Sequence, residues 1–79
     1  MTDAEVTAQI LRYGVTGSEL RMRLMEIRTS SGGMLDNHLD ALRWWLEANR
    51  QPQAAAVAEV LRGGGDVRGR VLALFSGVE

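Results

Sequence analysis

Leu35, Leu39, Leu42 and Leu46 recur at i, i+4, i+7 and i+11, the spacing of one face of an α-helix, and two adjacent tryptophans, Trp44 and Trp45, lie within that stretch. Neighbouring residues on a helix project about 100° apart, so the two indoles cannot share a face. Trp45 and His38 flank the leucine stripe, whereas Trp44 projects nearly opposite it, with Asn37 and Ala48 nearby. A helix that is apolar over more than half its circumference must be sandwiched between neighbours or keep an exposed patch that a partner covers.

Punctuation elsewhere along the chain predicts further helices. Thr2 with Glu5 forms a capping box, with Met1 and Val6 as a hydrophobic staple, and opens a first helix whose stripe is Val6, Ile10 and Tyr13 and whose stop is Gly14. Thr16 with Glu19 repeats the device, stapled by Val15 and Leu20, and predicts a second helix over 17–28 with Leu20, Leu24 and Ile27 facing inward. Met22 and Met25 fall off that stripe, with Arg21, Arg23 and Arg28 on its flanks. The run from Thr29 to Gly33 reads as a flexible connection, and the leucine and tryptophan helix follows over 34–50. Pro52 opens a fourth helix with Gln51 as a weak cap, and Ala54, Val57, Val60 and Leu61 face inward. Gly63, Gly64 and Gly65 end it, and Asp66 caps a last helix bearing Val67, Val71, Leu74 and Phe75. Gly69 weakens that last helix by about 1 kcal/mol relative to alanine. No alternating strand pattern competes, so the expected fold is all-α, a compact bundle of four to five short helices forming one domain over residues 1–79.

Composition narrows the chemistry. A chain of 79 residues buries only roughly 60–65% of its unfolded surface, and without cysteine it has neither disulfides nor thiolate metal ligands to reinforce a small core. Ten carboxylates against nine arginines leave a net charge of −1, so no global basic field draws in nucleic acid. All nine cations are arginine, the residue of bidentate contacts to carboxylates and phosphates, although codon bias in a GC-rich genome accounts for this equally well. Secretory-signal features and apolar runs of roughly 20 residues are both missing, so a cytoplasmic protein is expected, without membrane contact.

No catalytic, cofactor or metal set is expected. The glycine run at 63–65 lacks the lysine and hydroxyl of a phosphate loop, and Asp66 would repel phosphate there. His38 is the single histidine, and Asp36 and Asp40 do not share its face, so a packed or half-exposed imidazole is the reading. Asp36, Asp40 and Glu47 are placed with Arg43 and Arg50 on a solvated arc, with weak ion pairs such as Asp36 to Arg43, Asp40 to Arg43 and Glu47 to Arg50.

Tryptophan, methionine and arginine lying off the core stripes are the residue types enriched at protein interfaces. The leading expectation is therefore a non-enzymatic protein-binding module with Trp44, Met22, Met25 and Arg43 as anchors, Arg21 and Arg23 beside them, and a protein partner. The competing reading is that Trp44 packs beneath a later helix. The runner-up is a helix-turn-helix DNA binder built from the second and third helices. Against it, Asn37 is the one good base reader early in the third helix, two aspartates sit beside it, and the connection is longer than that motif's turn. A local basic patch of Arg12, Arg21, Arg23 and Arg28 speaks for it. A self-associating structural subunit, such as a homodimer, is the third class. In size, lack of cysteine and lack of a catalytic set, the chain resembles the stand-alone inhibitors and adaptors of phages and bacteria, anti-CRISPR proteins among them. That resemblance implies a steric block of a host complex and names no site.

Overall fold

The computed structural model describes residues 15–77, which form four helices and no strand: α1 (Val15–Thr29), α2 (Gly32–Ala48), α3 (Gln53–Gly63) and α4 (Val67–Leu74). The helix expected over the first fourteen residues, with its capping box, lies outside the described residues. α1 packs against α2 and α4, and α3 packs against the same two, so the four helices close a ring around one core. Leu20, Leu24 and Ile27 of α1, Leu39, Leu42 and Leu46 of α2, Val57 and Val60 of α3, Val71 of α4 and Phe75 just beyond it are the buried side chains. Most of the predicted stripes are thus confirmed. Leu35 and Leu61 are only partly buried against the core, and Leu74 is exposed because Phe75, one turn after Val71, takes the inward position.

Several boundaries differ from those the sequence predicts. Thr16 is already helical, so it is not the N-cap of α1, which includes Val15. The connection expected over 29–33 shrinks to Ser30 and Ser31, because Gly32, at φ 58°, and Gly33 begin α2. Nor is this connection loose. Thr29 Oγ1 donates to the Met25 carbonyl at 2.9 Å, Ser30 Oγ donates to the Glu26 carbonyl, and Arg68 of α4 donates to the carbonyl of Ser30 from across the ring. The two hydroxyls thus add second bonds to carbonyls of the last turns of α1, and Arg68 supplies a partner for the carbonyl of the connection itself.

α2 ends at Ala48 rather than Arg50, in a Schellman motif: the Gln51 N–H donates to Leu46 O at 2.9 Å and the Arg50 N–H to Glu47 O at 3.1 Å. The geometry puts Arg50 at φ 55°, a left-handed conformation that glycine adopts freely and arginine does not. Pro52 is the N-cap of α3 rather than its first helical residue, and the Gln51 side chain donates to Asn49 O instead of capping. At the other end of α3, Gly64 and Gly65 take φ of 69° and 76°, and Arg70 of α4 donates to Gly64 O at 3.1 Å. Asp66 caps α4 as predicted, accepting from the Gly69 N–H at 3.1 Å. A Cβ at Gly69 would overlap that carboxylate, so the glycine leaves space for its own cap.

Two opposite outcomes follow for glycine chemistry, both read by denaturant unfolding. Arg50→Gly should stabilise the fold by about 0.5–1 kcal/mol by relieving the left-handed residue, and an unchanged midpoint would show no strain there. Gly69→Ala should be near neutral, because the roughly 1 kcal/mol gained in helix propensity is offset by a displaced cap worth about the same. A full 1 kcal/mol gain would show that the cap contributes nothing.

Candidate functional site

Helix register and tertiary packing together settle where the two tryptophans go. Trp45 lies on the flank of α2 that meets α1; it packs against the core, and the Arg23 guanidinium carbon stands 5.5 Å from its ring centroid. About two α2 turns away on the same flank, His38 Nδ1 lies 2.9 Å from Glu26 Oε2 of α1, so the imidazole is half-buried and paired between helices. Trp44, one residue from Trp45, faces away from the core and is 62% exposed. The question of whether a later helix covers it is thereby answered: α3 does not cover it, nor does α4.

Arg43 stands beside Trp44, its guanidinium carbon 5.1 Å from the indole centroid and its Nη1 3.5 Å from Glu47 Oε1. A cation over an indole face is attracted by the ring quadrupole, worth about 0.5–1 kcal/mol at an exposed site. The contact covers part of one indole face while leaving most of the side chain open to solvent.

Arg43 also lines a cleft of about 380 Å³ between α2 and α3, with Asp40, Ala58, Leu61 and Arg62. A second cleft of about 360 Å³ adjoins it, lined by Asp36, Leu39, Asp40, Leu61 and Val67. The two share Asp40 and Leu61 and so form one groove running along α2 toward the start of α4. Arg62 is paired with Glu59 on its own helix. The ion pairs expected from Asp36 and Asp40 to Arg43 do not form, because Arg43 turns toward Glu47, one helical turn on, which also supersedes the expected Glu47 to Arg50 pair.

The other anchors named from sequence lie elsewhere. Met22 and Met25 are exposed on α1. Arg23 belongs to the flank meeting α2, where it also pairs with Glu19 at 3.0 Å, and Met25 projects about 160° from it around the helix. Arg21 is exposed and donates to Ser18 Oγ at 3.3 Å. The structure therefore places Arg43 at a groove with Trp44 beside it, and Met25 on another helix. The groove residues Ala58, Leu61, Arg62 and Val67 were not legible as site residues, since spacing on α2 carries no record of which helix lies beside it.

No protein family, no curated protein and no solved structure matches this chain. Among the described residues no group of three or more histidine, cysteine or carboxylate side chains is placed to hold a metal ion, and no helix is long and apolar enough to cross a membrane.

The two tryptophans should separate cleanly in thermal and denaturant unfolding. Trp44→Ala should leave stability within about 0.5 kcal/mol of the parent, whereas Trp45→Ala should cost about 2–3 kcal/mol through lost packing. Equal losses would place both indoles in the core.

Proposed function

We propose that this chain is a small non-enzymatic protein-binding module that docks on a partner protein complex through the outer face of α2, blocking or bridging it. The observation that carries the reading is the 62% exposure of Trp44, which stands against Arg43, itself a lining residue of the groove. Tryptophan and arginine dominate binding hot spots because each removes a large area from water with few rotatable bonds to freeze. An exposed indole that none of the described helices covers is best explained by a partner that supplies the cover. The class of protein this suits is the stand-alone inhibitor or adaptor of phages and bacteria, including the anti-CRISPR kind, which act by steric block.

One observation favours a second reading. The two-residue connection between α1 and α2 is tight enough for a helix-turn-helix DNA-binding regulator, contrary to the longer connection expected from sequence. Charge opposes it: Asp36 and Asp40 are exposed on the early part of α2, where the phosphates of a duplex would lie.

A tagged pull-down from bacterial lysate, with and without nuclease, distinguishes the two when the parent is compared with Trp44→Asp. A discrete protein retained after nuclease and lost in a folded Trp44→Asp variant supports docking through α2. Capture that disappears with nuclease, together with duplex binding that weakens steeply with salt and is lost on replacing Arg21 and Arg23, supports the regulator. Capture indifferent to both treatments removes Trp44 from the interface.

A further inference from the structure

The charge along the α2–α3 groove is uneven: its two arginines, Arg43 and Arg62, line the first cleft with Asp40, whereas the second cleft, toward α4, is lined by Asp36 and Asp40 with no cation. Arg43 is matched by Glu47 and Arg62 by Glu59, each within its own helix. Asp36 and Asp40 line the same groove, are exposed, and enter neither an ion pair nor a side-chain hydrogen bond. Two carboxylates one helical turn apart, about 6 Å, thus stand unmatched above Leu39, Leu61 and Val67.

This sign selects among occupants. A second copy docked two-fold through the same face would bring the same two carboxylates to the contact, and nucleic acid or an anionic membrane would bring phosphates. Like charges brought together at a contact oppose binding and suppress wrong partners. A basic segment brings the opposite sign, and the two adjoining clefts, about 380 and 360 Å³, give apolar side chains a place beside the charges.

We propose that the groove receives a basic amphipathic helical segment of the partner protein. Cationic side chains one turn apart meet Asp36 and Asp40, an apolar side chain lies over Leu61, and the Trp44 indole packs along the segment's flank. This is the helix-in-groove mode, in which apolar anchors give affinity and flanking charge gives orientation. It rests on the docking reading above and specifies the chemistry of the partner.

The test is a titration of isotope-labelled protein, followed by amide chemical shifts, with a synthetic leucine–lysine peptide of about 15 residues, long enough to hold a helix. A glutamate-for-lysine twin and a serine-for-leucine twin are run beside it. The expected result is saturable shifts centred on Asp36, Asp40, Leu61 and the Trp44 indole with the leucine–lysine peptide, and none with either twin. Binding should weaken with salt and by about tenfold in the folded Asp36→Asn, Asp40→Asn double variant. A silent titration, shifts centred on another face, equal binding of the glutamate twin, undiminished binding to the double variant, or duplex DNA or anionic vesicles shifting the same amides would each overturn it. Trp44-dependent capture of a partner alongside a silent titration refutes the basic-segment assignment and leaves docking intact. A groove-centred response alongside capture indifferent to Trp44 upholds the groove chemistry and refutes docking through the indole.

Discussion

Closure of the helical ring by α4 is the constraint on which the arrangement of the other three helices depends. With eight residues, α4 is too short to persist as an isolated helix in water, so its stability comes from what it touches. Val71 and Phe75 supply the core between α1 and α3, and two arginines tie the helix to carbonyls that would otherwise lack partners. Arg68 reaches Ser30 at the α1–α2 connection and Arg70 reaches Gly64 at the end of α3. An arginine bound to a carbonyl does two things at once: it satisfies an orphan helix end and fixes the position of a neighbouring element. With no disulfide available, these contacts and ten buried apolar side chains are what hold the described helices together.

That closure determines what α2 can present. Its leucine stripe is covered by the ring, its Trp45 and His38 flank is covered by α1, and its opposite flank borders α3. The remaining arc is the one on which Trp44 stands. Because Arg43 is drawn both to the indole and to Glu47, it is not available to neutralise Asp36 and Asp40. Side-chain competition on one helix therefore leaves two unpaired carboxylates over Leu39, Leu61 and Val67 at the α4 end of the groove, with the exposed Trp44 on the outer arc of the same helix.

Much of the fold was legible because it depends on local rules. Apolar periodicity named nearly every core residue, the triple glycine ended α3, and Asp66 capped α4. The failures share a cause: each was decided by something nonlocal or by competition between equally plausible local options. The α1–α2 connection looked flexible from its serines and glycines, but Gly32 and Gly33 are helical and a distant arginine holds Ser30. Periodicity extends the helix to Arg50 because nothing in its side chain announces a left-handed cap. Leu74 was read as core because Leu74 and Phe75 compete for one inward position.

The candidate site shows the same division. The sequence by itself determined that Trp44 and Trp45 must diverge, since about 100° of helical rotation separates adjacent residues whatever the surroundings. It likewise determined the all-α class and the residues able to form a core. Only the tertiary structure decided which tryptophan is covered, that Arg43 chooses Trp44 and Glu47 over the aspartates, and that α3 supplies Leu61 and Arg62 to a shared groove. Periodicity reports the direction in which a side chain points, but the neighbour it meets there is set by how separate helices pack, which is information distributed over the whole chain.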